Sequence, residues 1–267
     1  MAKSKTDDAE ATQSQVHSVR LVEEDAPQHS PPRGIYLLPN LVTSGALFAG
    51  FYAMVASTNG HFIAAGMAIV AALVLDTADG RIARFTGTQS EFGAQYDSLS
   101  DMAAFGVAPA LLVFTYTLSG LGKLGWMVTF VYMACAALRL ARFNTDSDLK
   151  SFTGLASPAA AVIVATAVWV LFEADPGAAA QPMVRYGLAG LTLTVALLMV
   201  SPFKYSSPKM LDLSRRVPFI TLVGVVLVLA VVLSEPPRVL LVLFSIYALS
   251  GPLFHVVRSL RKGDTAE

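Results

Sequence analysis

Residues 76–101 read Asp-Thr-Ala-Asp-Gly-Arg-Ile-Ala-Arg-Phe-Thr-Gly-Thr-Gln-Ser-Glu-Phe-Gly-Ala-Gln-Tyr-Asp-Ser-Leu-Ser-Asp, which sets four aspartates, Asp76, Asp79, Asp97 and Asp101, between two apolar runs. On helices, Asp76 and Asp79 share a face three residues apart, and Gly93, Asp97 and Asp101 follow in steps of four. Packed antiparallel, the two helices bring all four acids together. Each unpaired charge in such a low-dielectric setting costs several kcal/mol, so the acids require cations. An all-oxygen cage, with neither His nor Cys in the stretch, suits Mg or Mn better than Zn. Gly80, Ala83 and Gly93 leave room beside the acids for a ligand or a neighbouring backbone. Arg84 and Arg81 could grip phosphate oxygens. Carboxylates, divalent metal and arginine together point to phosphoryl chemistry on a diphosphate.

The elements that hold these residues are membrane spans. The chain has 267 residues, 54% hydrophobic and 14% charged, with mean hydropathy +0.58, too apolar for an ordinary soluble domain. A formal net charge of zero gives no long-range pull toward nucleic acid. The one cysteine, Cys135, lies in an apolar run, which excludes an intrachain disulfide and predicts a buried thiol. Apolar segments near 35–57, 61–84, 93–118, 124–143, 157–174, 183–202, 217–234 and 238–257 each approach the ~20 residues of a span. They predict an all-α polytopic membrane bundle of about eight transmembrane helices, the last interrupted at Gly251 and Pro252. Gly45, Gly50, Gly187 and Gly190 are expected to serve helix packing. Residues 1–32 are polar, lack a signal-peptide core and read as a disordered cytosolic tail. Residues 33–258 form the membrane domain and 259–267 a second cytosolic tail.

Depth and charge fix where the acids sit. At 1.5 Å per residue, Asp76 and Asp79 lie roughly 22–27 Å along the second span, and Asp97 and Asp101 about 6–12 Å into the third, from the same side. With the N-terminal tail in the cytosol, sixteen of the nineteen Lys and Arg fall on the cytosolic side, against Lys123, Arg185 and Arg238 on the other. The acids then face the cytosol, where nucleotide-activated substrates are available.

Two further sets open toward the same end. Asn40 and Thr43 share a face of the first span; Pro39 and Asn40 can start that helix and Thr43 bond back to its own backbone, or the pair can meet a ligand. Arg139 and Arg142, three apart on the fourth span, either anchor a helix end or form a cationic pocket for a carboxylate or phosphate, with Asn144 adding a polar contact.

The pattern Asp-x2-Asp-Gly-x2-Ala-Arg-x8-Gly-x3-Asp-x3-Asp, filled by Asp76, Asp79, Gly80, Ala83, Arg84, Gly93, Asp97 and Asp101, resembles the signature of the CDP-alcohol phosphotransferases at every fixed position. The resemblance implies a catalytic core of six helices and two divalent ions held by the four aspartates, with Asp101 as general base. It also implies that Asn40 and Thr43 lie near a cytidine, and that Asp79, Gly80, Ala83, Arg84 and Gly93 join them around CDP-diacylglycerol. Arg-Leu-Ala-Arg-Phe-Asn at 139–144, then Phe152-x-Gly154-Leu155-x-x-Pro158, and Gly-Ile-Tyr-Leu-Leu-Pro-Asn-Leu at 34–41, are similar to the integral-membrane phosphatidylserine synthases of that family over roughly residues 33–160. Members often carry proline where this chain has Ala156. The resemblance implies L-serine as acceptor, held by Arg139, Arg142 and Asn144, in a homodimer of a bacterial cytoplasmic membrane, with membrane lipid and no nucleic acid as partner. Glycerol 3-phosphate, inositol or inositol phosphate are alternative acceptors. From another class, a cation transporter would also place acids among helices.

Overall fold

The computed structural model describes residues 37–88, 90–145, 153–203, 205, 224, 227 and 230–263. Among them, seven helices are long and apolar enough to cross a membrane: α1 (Leu37–Thr58), α2 (Phe62–Thr86), α3 (Glu91–Tyr116), α4 (Lys123–Thr145), α5 (Ser157–Ala174), α6 (Pro182–Val200) and α7 (Pro236–Gly263). The expected tail at 1–32 and most of the expected span at 217–234 lie outside the described residues; residues 224, 227 and 230–234 are helical. The last helix runs on to Gly263, past the expected start of a tail at 259.

α5 is the hub. Its sequence Ser-Pro-Ala-Ala-Ala-Val-Ile-Val-Ala-Thr-Ala-Val-Trp is apolar all round, and every residue of it but Pro158 is buried. Small side chains let α2, α6, α7 and the second half of α3 approach it closely. α1 packs along α2 and also against α3, where Gly50 gives way to the Ala104 backbone: a Cβ there would stand 2.7 Å from Ala104 Cα. Gly45 meets only the Leu75 side chain, at 3.5 Å, and a Cβ at Gly187 or Gly190 meets nothing within 4 Å, so these last two do not serve packing among the described residues. Cys135 is buried, free and part of the core.

Proline shapes two helices, and a tyrosine repairs each. In α3, residues 102–107 form wider π turns, with Ala108 N–H reaching back to Ala103 O. Pro109 has no N–H for the carbonyl four residues earlier, that of Phe105; the fully buried Tyr132 hydroxyl donates to it at 3.1 Å. In α7, Pro252 likewise frees the Ala248 carbonyl, and the Tyr205 hydroxyl donates to it at 2.9 Å. Gly251 lets the Tyr205 ring lie against the helix, where any Cβ would collide. The expected interruption at Gly251 and Pro252 therefore does not occur, because the orphaned carbonyl has found another donor. Tyr132→Phe and Tyr205→Phe should each lower stability by about 1–3 kcal/mol, the penalty of an unsatisfied buried polar group. Thermal unfolding in detergent measures it.

Candidate active site

The site lies at one end of the bundle, where α1, α3 and α5 begin and α2, α4 and α6 end. Gly87, at φ +63°, closes α2 by donating to Ala83 O, and Ser90 opens α3 by accepting the Gly93 N–H at 3.0 Å. This short turn makes a hairpin, yet the first half of α3 packs on α1 and makes little direct contact with α2. The gap between them holds the acids.

The structure divides the four aspartates. Asp76, Asp97 and Asp101 each offer a carboxylate oxygen within 4.8 Å of the others, and the Asp76 and Asp101 carboxyls share a hydrogen bond. Asp79 is buried beside this group, its Oδ2 taking a 2.7 Å hydrogen bond from Thr43 Oγ1. Thr43 Oγ1 also lies 3.0 Å from Pro39 O. With one proton to give, the hydroxyl sits closer to the carboxylate, so α1 fixes the rotamer of Asp79. One α-turn along α3, Ser100 ties the same segment by donating to Thr43 O at 3.3 Å.

A cavity of about 430 Å³ opens between α1, α2 and α3. Its wall includes Asn40, Thr43, Asp79, Gly80, Ala83, Arg84 and Gly93, together with Asp97, which thus borders both the cavity and the three-carboxylate group. Gly80 is open: a Cβ there would find only Arg84 Nη2, at 4.0 Å. Gly93 is tighter, with Ser90 Oγ at 3.1 Å and Asn40 Oδ1 at 3.5 Å from such a Cβ. Arg84 folds back along α2, Nε donating to Gly80 O at 2.8 Å, while Arg81 is exposed and outside the lining. The sequence did not single out Thr88, Ser90, Ala94 or Phe143, which also line the cavity. Of these, only Ser90 carried a local signal, as a helix cap.

The acids fit a hard divalent cation. The group offers only carboxylate oxygens, and Asp97 Oδ1 is buried without a hydrogen-bond partner among the described residues, an acceptor that a cation would satisfy.

Arg139 is half-buried, interacts electrostatically with Asp101, and its Nη1 donates to Ser157 Oγ at 2.9 Å. Arg142, one turn further toward the helix end, is exposed. Asn144 pairs with Ser98 Oγ of α3 at 3.1 Å. The three residues expected to hold an acceptor are therefore not equivalent: Arg139 is half-buried, whereas Arg142 and Asn144 are exposed.

The family model described as CDP-alcohol phosphatidyltransferase matches residues 36–201. The chain belongs to that family. The chain is 34% identical to a CDP-diacylglycerol--serine O-phosphatidyltransferase of Helicobacter pylori strain J99 over 224 residues, 83% of this chain and 92% of that protein. It is 36% identical to a protein of the same name from Methanocaldococcus jannaschii over 189 residues, 70% of this chain and 82% of that one. An archaetidylserine synthase of Methanothermobacter thermautotrophicus is 32% identical over 171 residues, 63% and 69%. As a CDP-alcohol phosphatidyltransferase the chain is an integral membrane transferase. The family generally uses divalent metals, in keeping with the aspartate group.

Proposed function

We propose that this enzyme transfers the phosphatidyl group of CDP-diacylglycerol to L-serine, releasing CMP, as a homodimer in a bacterial cytoplasmic membrane with its site facing the cytosol. The observation that carries the reading is that one cavity is lined by Asn40, Thr43, Asp79, Gly80, Ala83, Arg84 and Gly93 and abuts Asp97 of the carboxylate group. The names of relatives that align over most of their own length support serine as acceptor. Sixteen of nineteen cationic residues on the site's side support the orientation.

The nucleotide end would occupy the cavity, with Arg84 on the diphosphate and the acyl chains remaining in lipid. Asp76, Asp79, Asp97 and Asp101 would hold two ions, Mg or Mn, of which Asp79 is steadied by Thr43. Such ions neutralise charge on a diphosphate and improve CMP as leaving group. Asp101 takes the proton of the serine hydroxyl, whose oxygen forms the new bond to the phosphatidyl phosphorus as the bond to the CMP oxygen breaks. Asp97 borders the cavity and Asp101 borders Arg139, one turn or about 6 Å apart along α3. Leaving group and attacking hydroxyl thus approach from opposite sides, as in-line displacement at phosphorus requires.

Gly80→Val should crowd the diphosphate and raise the apparent KM for CDP-diacylglycerol about tenfold, from a packing penalty of roughly 1–3 kcal/mol, while serine KM stays within twofold. The reading as a whole is tested with purified protein given CDP-diacylglycerol and serine, inositol or glycerol 3-phosphate in turn, with and without Mg or Mn. Metal-dependent CMP release with serine alone is expected. Release only with another acceptor overturns the serine assignment, and no release with any acceptor overturns the transferase reading in favour of transport.

A further inference from the structure

We propose that Ser157 completes the acceptor side of the site as a positioning residue for Arg139, aiming its guanidinium at the acceptor's anionic end. The inference rests on the acceptor reading above and adds to it a residue that the 152–158 stretch left without a role.

Arg139 has donors left over. A guanidinium carries five N–H donors in a fixed plane and cannot shed its charge. Here Nη1 is taken by Ser157, Nε is buried with no partner among the described residues, and no described carboxylate forms an ion pair with the group. Asp101 is near enough to interact electrostatically yet stops short of pairing. A half-buried cation with donors unspent is the counterpart of a small molecule bearing a carboxylate or phosphate.

Ser157 is built to aim that cation. It is fully buried at the start of α5, and the segment before it is locked to the end of α6: Gly154 N–H donates to Phe203 O and Leu155 N–H to Leu198 O, both at 2.9 Å. Gly154 adopts φ +84° against the Met199 carbonyl, a place no side chain can occupy. The Ser157 oxygen is thereby fixed by two helices other than the one carrying Arg139, and the plane of the guanidinium with it.

Ser157→Ala and, as a structural control, Tyr205→Phe are compared with wild type in purified form, measuring KM for serine, KM for CDP-diacylglycerol, kcat and thermal midpoint. Ser157→Ala should raise serine KM about tenfold, the usual loss for a hydrogen bond to a charged group, with CDP-diacylglycerol KM within twofold and kcat within threefold. Tyr205→Phe should lower the midpoint without moving serine KM. Unchanged serine KM in Ser157→Ala, or an equal rise in both KM values, overturns the proposal. If the wild type uses glycerol 3-phosphate instead of serine, the serine reading fails, while the same variant must still raise that anionic acceptor's KM. Activity with neutral inositol alone overturns both.

Discussion

Asp101→Asn should reduce kcat by about 10²–10⁴, the usual contribution of a general base, while the KM for CDP-diacylglycerol moves by no more than a few-fold. The expectation comes from where the side chain stands. Asp101 is the innermost acid of α3, it shares a hydrogen bond with Asp76, it is the carboxylate that interacts electrostatically with Arg139, and it is not among the residues lining the nucleotide cavity. A hydroxyl bound through a neighbouring anionic group at Arg139 would meet Asp101 before any other acid. Asparagine keeps the shape and the hydrogen-bond geometry but cannot take a proton. Because Asp101 is also within ligand distance of the cation group, the two roles must be separated. Raising Mn should restore rate if the lesion is lost cation affinity and should not if it is a lost base. Wild-type turnover by Asp101→Asn removes Asp101 as the base, and restoration by Mn reduces it to a ligand.

The extent to which these features were legible in the sequence follows from the range of the interactions. Six expected spans coincide with helices to within about three residues, since hydrophobic length is a local property read directly from the chain. The last was also found, but its continuity through Pro252 was not, because the donor that repairs Ala248 comes from Tyr205, 43 residues away. The same holds for Pro109 and Tyr132. The spacing of Asp76, Asp97 and Asp101 foretold a common face, and the structure brings those three together. Asp79 lies buried beside them, and the Thr43 hydroxyl that holds it comes from a third helix, which no periodicity in α2 or α3 encodes. The π turns after Asp101 left no mark in the apolar pattern either. The hydrogen bond of Asn144, at the exposed end of α4, to Ser98, 46 residues away, also left no mark in the sequence.

Asp97→Asn should abolish activity and yet stabilise the protein when cations are removed. Without cations, three carboxylates lie within 4.8 Å of one another, and the Asp97 oxygen that is buried has no donor to offset its desolvation. Beyond the hydrogen bond shared by Asp76 and Asp101, nothing in the described hydrogen bonding compensates this arrangement, so the fold carries it as a cost that bound cations relieve. Neutralising Asp97 removes both repulsions, and in excess chelator the thermal midpoint should rise by a few degrees; about 2–4 °C accompanies each kcal/mol in a domain of this size. Added Mg or Mn should raise the wild-type midpoint, because a ligand that binds only the folded state stabilises it by mass action, and should leave that of Asp97→Asn nearly unmoved. CMP release should fall at least 10²-fold, since the variant loses the one member of the three-carboxylate group that lines the cavity. The crossing of the two curves is the diagnostic: a residue kept for folding lowers the midpoint in both conditions when replaced, whereas a residue kept for a cation raises it in one and forfeits the gain in the other. A lower midpoint for Asp97→Asn in chelator would mean that the fold itself relies on that carboxylate, and the acids would then have to be explained without a metal.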